Sequence, residues 1–180
     1  MFNIPIRKDP PPGFPVSTVN AMRTLTALQM NTSTSTSSEG NEKFAQALEV
    51  LWAALWCPNS DVLRNASRKD AIDKLRDANG DFDIKGPETL KGLLATVIGE
   101  DEAAKCVQST AQKEVKDGLI ANTNRAFEAG AFGIPWFECE NENGEKEGFW
   151  GFDHLGQVVR FLKLDQAGER KGGQVLSAML

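Results

Sequence analysis

The sequence is poor in the side chains that build redox and metal centres. It holds three cysteines and one histidine in 180 residues. Cys57, Cys106 and Cys139 lie far apart and form no Cys-x-x-Cys pair, which argues against a disulfide framework, a zinc site and a dithiol redox centre. We therefore predict no metal site and a reducing, intracellular compartment. The cytoplasm is favoured, and the mitochondrion and the peroxisome stay open as alternatives.

Long apolar runs and a positive net charge are also absent. No run approaches the ~20 apolar residues that cross a bilayer, and the leading stretch MFNIPIRKDPPPGF has no apolar core typical of a secretory signal. The formal net charge of −5 does not favour the binding of a polyanion such as a nucleic acid. These features predict neither a membrane nor a nucleic-acid partner, while 41% hydrophobic and 25% charged residues are ordinary for a globular protein.

The first three quarters of the chain predict a helical region behind a proline-rich segment. Residues 1–16 contain five prolines, which exclude a helix interior. The low-complexity stretch NTSTSTSSEG, residues 31–40, indicates a loop. Apolar spacing predicts helices over residues 19–30, 41–57, 61–78, 88–98 and 101–129. Gly118 is the expected weak point of the last helix.

The pattern changes after Gly130. Residues 134–140 and 146–152 read as strands, and Asn143-Gly144 between them is a strong hairpin signal. Asp153 is then expected to cap a final helix. Because two strands alone make a poor core, we expect a further strand to pair with the hairpin. Residues 3–7 are the one upstream stretch that reads as a possible partner.

The segment GAFGIPWFECENENGEKEGFWGFDHLGQVVRFL carries the most specific motif of the sequence. It resembles the C-terminal signature of kappa-class glutathione transferases, which bacterial hydroxychromene-carboxylate isomerases and, more remotely, DsbA share. The matching residues are Gly130, Phe132, Gly133, Ile134, Pro135, Trp150, Gly151, Asp153 and Leu155. Upstream, Asn20, Ala21, Met22 and Arg23 resemble the start of the helical insertion of that family.

The resemblance implies an α+β or α/β architecture, namely a DsbA-type thioredoxin-like fold with a large helical insertion. The expected organisation is an extended leading segment (1–16), a helical lobe (17–129), the C-terminal part of the thioredoxin-like domain (130–165) and a tail (166–180). The leading βαβ segment of the family is missing from the sequence. The resemblance places the catalytic serine in that segment, upstream of Met1, so no catalytic residue is expected within this chain.

The resemblance further implies a glutathione transferase that conjugates the glutathione thiolate to a small electrophile. Glutathione is the expected co-substrate, and a homodimer is the expected assembly. The implied glutathione-binding residues are Ile134, Pro135, Phe152 and Asp153, with Ile134-Pro135 as a cis bond. Many relatives carry a serine where Phe152 stands. A glutathione-dependent isomerase of aromatic carboxylates and a non-catalytic truncated paralogue remain as alternatives.

Two further patterns are read without a catalytic role. His154 has no serine or cysteine at a recognisable spacing, so we interpret it as an exposed residue of the first helical turn. DANGDFDIKGPE, residues 77–88, imitates a calcium loop, but Phe82 stands where that loop requires glycine. We interpret it as a solvated loop between helices.

Overall fold

The computed structural model of the protein describes residues 6–32, 38–64 and 69–164. Two short 3-10 turns, Ser109–Ala111 and Phe152–His154, accompany the regular elements. The helices are α1 (Val19–Thr32), α2 (Ser38–Trp56), α3 (Asp61–Arg64), α4 (Lys69–Asp73), α5 (Pro87–Ile98), α6 (Glu100–Gln108), α7 (Lys113–Glu128) and α8 (Leu155–Phe161). The strands are β1 (Trp136–Glu140) and β2 (Lys146–Trp150).

The chain forms two compact units, Met1–Leu119 and Ile120–Leu180. We call the first the helical unit and the second the hairpin unit. The boundary between them falls within α7.

The helical unit is built around a continuous apolar core. Helix α5 starts with Pro87, whose missing N–H is no loss in the first turn, and it ends at Gly99, where φ is 84°. Between these ends α5 buries an apolar face against α2 and α6, as the spacing of its leucines predicts. The largest apolar side chains with less than 2% exposure are Leu28, Leu63, Ile72, Leu90, Leu93 and Leu94.

The proline-rich segment is fastened to the helical unit through Arg7. The Arg7 amide donates to the Trp56 carbonyl at 2.9 Å, and Nη1 of its guanidinium lies 2.8 Å from Oδ1 of Asp81. Phe14 adds an edge contact to the Trp56 ring, with centroids 6.0 Å apart. The segment is therefore held by both backbone and charged contacts, although its described residues, 6–16, form no helix.

The described part of the hairpin unit contains the C-terminal end of α7, an antiparallel pair of strands and α8. The register pairs Trp136 with Trp150 and Glu140 with Lys146. Gly144 has a φ of 79° in the connecting turn, a conformation that costs glycine little. Phe149 and Val158 are buried, and the Phe149 ring lies 5.7 Å from that of Phe161 in α8. The predicted strand–turn–strand–helix order is confirmed.

Several predicted helix limits are wrong. The loop before α2 is shorter than expected, because residues 38–40 are already helical. The expected helix 61–78 ends at Asp73. The expected helix 101–129 does not break at Gly118. It breaks at 109–112, where the 3-10 turn Ser109–Ala111 is followed by Gln112 with an extended backbone (φ −66°, ψ 145°).

Some predictions fall outside the described residues. Of the strand expected at residues 3–7, residues 3–5 are not described, and the described part, Ile6 and Arg7, forms no strand. The whole of the expected tail, 166–180, also lies outside the described residues. Within the described ranges, no helix has the length and the apolar character that spanning a bilayer requires.

Candidate functional site

The Ile134-Pro135 bond opens the first strand of the hairpin. The bond is cis, as predicted. The Ile134 side chain is 91% exposed. Among the described residues, none forms a hydrogen bond with the Ile134 amide or carbonyl. The polar backbone groups of this residue are thus available to a ligand.

A backbone hydrogen bond joins the two halves of the expected glutathione site. The Gly151 amide donates to the Pro135 carbonyl at 3.0 Å, one step beyond the Trp136–Trp150 pair of the ladder. The turn that contains Phe152 and Asp153 therefore begins next to the Ile134-Pro135 bond. Four residues that the sequence resemblance named together are brought together by the hairpin.

The Phe152–Asp153 turn is exposed, and its backbone conformation differs from the helix cap predicted from the sequence. The Phe152 ring is 69% exposed and meets the Phe137 ring edge-on, with centroids 6.0 Å apart. The prediction that Asp153 caps the final helix is wrong. Residues 152–154 form a 3-10 turn, and the N-cap of α8 is His154, with no side-chain cap hydrogen bond. The Asp153 carboxylate folds back towards Gly151 instead.

Gly151 makes that arrangement possible. Its φ is 87°, a conformation that side chains other than glycine rarely adopt. A Cβ at this position would lie 2.3 Å from Oδ1 of Asp153. The sequence showed Gly151 as a motif residue but not this reason for it, because the close approach depends on the three-dimensional turn.

His154 differs from the exposed residue expected at this position. Its side chain is 37% exposed, yet Nδ1 is buried and, within the described residues, makes no hydrogen bond. Oδ1 of Asp153 lies 3.4 Å from it. This contact could not be predicted from the sequence, since neighbouring residues in a regular helix point apart.

Aromatic side chains cover the hairpin face next to the site. Phe132 meets the rings of Trp136 and Trp150, with centroids 5.7 and 5.3 Å away. Gly133 admits the Trp150 indole, because a Cβ there would lie 2.4 Å from Nε1. Phe132 is nevertheless 75% exposed and Trp150 45% exposed. This face is apolar and accessible within the described hairpin unit.

Neither buried thiol is suited to nucleophilic chemistry. Burial raises the pKa of Cys106 to about 11, and the charge of Glu102 adds to the rise, while a hydrogen bond from Asn31 opposes it. Burial also raises the pKa of Cys57. Because the thiolate is the reactive form, both cysteines are unreactive near neutral pH.

Two cavities between described residues of the helical unit are not lined by any predicted site residue. One, of about 560 Å³, is bounded by Asn31, residues 98–102 and Lys105. The other, of about 160 Å³, lies beside the Arg7–Asp81 ion pair.

In the loop that imitates a calcium site, Oδ1 of Asp77 accepts hydrogen bonds from the amides of Asn79 and Asp81. Asp81 pairs with Arg7, and Asp83 accepts from the Lys85 amide, so three acidic side chains of the loop have roles within the protein itself.

Comparison with known proteins indicates a distant relationship to glutathione-related transferases. No family model matches the chain. The chain is similar to glutathione S-transferase kappa 1 of Caenorhabditis elegans, with 22% identity over 170 residues that cover 92% of this chain. The match covers 61% of the relative, so the chain spans about three fifths of the length of the curated protein it matches. Mostly helical structure with a small two-stranded sheet is compatible with a thioredoxin-like fold.

Proposed function

We propose that the protein is a glutathione transferase of the kappa type, which binds glutathione and directs its thiolate at a small electrophile. The observation that carries the proposal is the hydrogen bond between the Gly151 amide and the Pro135 carbonyl. It places the unpaired backbone of Ile134 beside the exposed Phe152–Asp153 turn. The distant relationship to a kappa-class transferase supports glutathione as the ligand of this site.

The proposed fold follows the same resemblance. The hairpin and α8 would form the C-terminal part of a DsbA-type thioredoxin-like domain, at residues 130–165. The helices within residues 17–129 would be its helical insertion. The order of helices, hairpin and final helix along the chain supports this assignment.

Glutathione is a peptide, and its backbone can pair with an exposed strand end as an added strand does. The amide and carbonyl of Ile134 have no partner in the described structure and supply that pairing. The γ-glutamyl end carries an ammonium group, for which the Asp153 carboxylate is the counter-charge. Its 78% exposed side chain is accessible to such a ligand.

Conjugation requires a further group at the sulfur. A free thiol has a pKa of about 8.5, so only a few per cent is thiolate at neutral pH. A hydrogen-bond donor or positive charge must favour the thiolate before it attacks an electrophile. We assign no described residue to that role, and the resemblance assigns it to a serine in the leading βαβ segment of the family.

Isothermal titration with glutathione tests the binding step. Asp153→Asn retains the shape of the side chain but removes its charge. We expect the affinity to fall about tenfold, equivalent to ~1.4 kcal/mol. Glu147→Gln is the matched control, since it makes the same change on an exposed β2 residue opposite Cys139, about 10 Å along the strand from Trp150.

The two variants separate a specific contact from an effect of overall charge. We expect Glu147→Gln to bind glutathione with the same affinity as the unaltered chain. Equal affinities of the unaltered chain and Asp153→Asn would remove Asp153 from the site. A chain that takes up no glutathione would contradict the proposed function itself.

A further inference from the structure

The position of the Asp153 carboxylate is set by its neighbours on two sides. On one side Oδ1 rests over Gly151, at a point only 2.3 Å from where a Cβ would be. On the other side stands Nδ1 of His154, 3.4 Å away. The carboxylate therefore lies in a notch between a glycine backbone and an imidazole ring.

The imidazole nitrogen in this notch lacks a partner of its own. Nδ1 is buried, and no hydrogen bond to it occurs within the described residues. Leaving a buried polar atom unpaired is unfavourable. The separation from Oδ1 exceeds the ~2.7–3.2 Å of an ordinary hydrogen bond, but the carboxylate is mostly exposed and can rotate to close it.

The chemistry of the pair determines which tautomer of the ring suits it. A neutral imidazole carries one N–H donor and one acceptor nitrogen. A carboxylate can only accept, so the stable arrangement has the proton on Nδ1 and leaves Nε2 as the acceptor. Nδ1–H then donates to Oδ1 of Asp153, and Oδ2 remains for a ligand.

We propose that His154 is a positioning residue that holds the Asp153 carboxylate, through an Nδ1–H donor, in the orientation that receives the ammonium group of glutathione. The inference rests on the proposed function for its ligand. His154 itself does not touch glutathione. Its contribution is to fix Oδ1, so that less side-chain freedom is lost when the ligand binds.

The single histidine of the sequence makes the tautomer directly observable. In a ¹⁵N spectrum of the neutral imidazole, recorded at alkaline pH, we expect the Nδ1–H form to dominate. Asp153→Asn should shift the ring towards the tautomer mixture of a solvent-exposed histidine. A ring that is Nε2–H in the unaltered chain would overturn the proposal.

Glutathione affinity provides the second readout. His154→Phe keeps a ring but removes the donor, and we expect about five- to tenfold weaker binding, or ~1–1.4 kcal/mol. His154→Asn places an amide N–H near the position of Nδ1 and should retain affinity within about twofold, which corresponds to ~0.4 kcal/mol. Far-UV circular dichroism checks that each variant is folded.

A double-mutant cycle separates positioning from a general structural role. If His154 acts through Asp153, His154→Phe should cost nothing further once Asp153→Asn is present. An equal loss in both backgrounds, or unchanged affinity of His154→Phe alone, would refute the proposal. If the unaltered chain binds no glutathione, the proposed function fails, and the tautomer measurement still decides whether His154 holds Asp153.

Discussion

The two units of the molecule bury their apolar side chains to very different degrees. Among the described residues, the helical unit has a cluster of buried side chains drawn from α1, α2, α5 and α6, several with no measurable exposure. The hairpin unit buries Phe149 and Val158, while Phe132, Ile134 and Phe152 are each more than two-thirds exposed. The helical unit thus has the core of a stable domain, and the hairpin unit carries the exposed groups that a binding site needs.

The difference follows from the elements themselves. Amphipathic helices bury one face against each other, whereas an isolated two-stranded hairpin is marginally stable in water. The hairpin unit therefore depends on a few aromatic contacts, such as that between Phe149 and Phe161. Changes of similar size should have different consequences in the two units.

The largest expected difference concerns truncation of apolar side chains. Leu93→Ala removes a fully buried side chain of α5 and should lower the free energy of unfolding by about 2–5 kcal/mol. Phe132→Ala removes a larger but mostly exposed ring, and we expect a loss near ~1 kcal/mol from its two ring contacts. Urea unfolding followed by circular dichroism measures the free energy of unfolding of both variants. Equal losses would contradict the proposed difference between the two units.

The core of the helical unit should also become less stable in alkali. The pKa of Cys106 is raised from 9.0 to about 11, so the folded protein keeps this thiol protonated where the unfolded chain ionises. The protonated Cys106 thiol contributes fully to the free energy of unfolding below about pH 9, and this contribution is lost as the pH rises towards 11. Relative to Cys106→Ala, the free energy of unfolding should fall by roughly 2 kcal/mol over that interval. Parallel pH profiles for the two proteins would contradict this expectation.

A smaller effect should distinguish two glycines, one from each unit. A Cβ on Gly148 would lie 2.1 Å from Cζ2 of the Trp136 ring, and one on Gly92 would lie 2.5 Å from Cδ1 of Leu75. The end of a leucine side chain can move, and alanine favours a helix by ~1 kcal/mol over glycine, so Gly92→Ala should be nearly neutral. The rigid indole cannot yield in this way, and Gly148→Ala should cost about 1–3 kcal/mol.

Thermal unfolding measures the stability of the two glycine variants, and the Trp136 indole resonance in a ¹H–¹⁵N spectrum reports on the environment of that ring in each. We expect the resonance to move in Gly148→Ala and to stay in place in Gly92→Ala. An unmoved indole in Gly148→Ala would mean that the ring does not pack on this strand.

Local signals allowed the hairpin to be predicted from the sequence. Asn143-Gly144 is a strong local turn signal, and the structure has a positive φ at Gly144 in the turn that Asn141 closes. Helix α5 was also predictable from local signals. Its apolar residues have helical spacing, Pro87 stands at its start and Gly99 at its end. The break at residues 109–112 was missed because no glycine or proline marks it in the sequence.

The candidate site was predictable only in part. The resemblance named Ile134, Pro135, Phe152 and Asp153, and the ladder of the hairpin brings them together. The orientation of Asp153 was not predictable, because it depends on the missing side chain of Gly151 and on the imidazole of His154. An acidic residue before a helix is usually read as a cap, and here the 3-10 turn overrides that preference.

NMR titration of the ¹⁵N-labelled chain with glutathione is the most direct test of a glutathione site on the hairpin unit. We expect the largest amide shifts at Ile134, Gly151, Phe152 and Asp153. The core residues of the helical unit, such as Leu93, should not shift. Shifts confined to the helical unit, or no shifts at saturating glutathione, would contradict the claim that the hairpin unit carries a glutathione site.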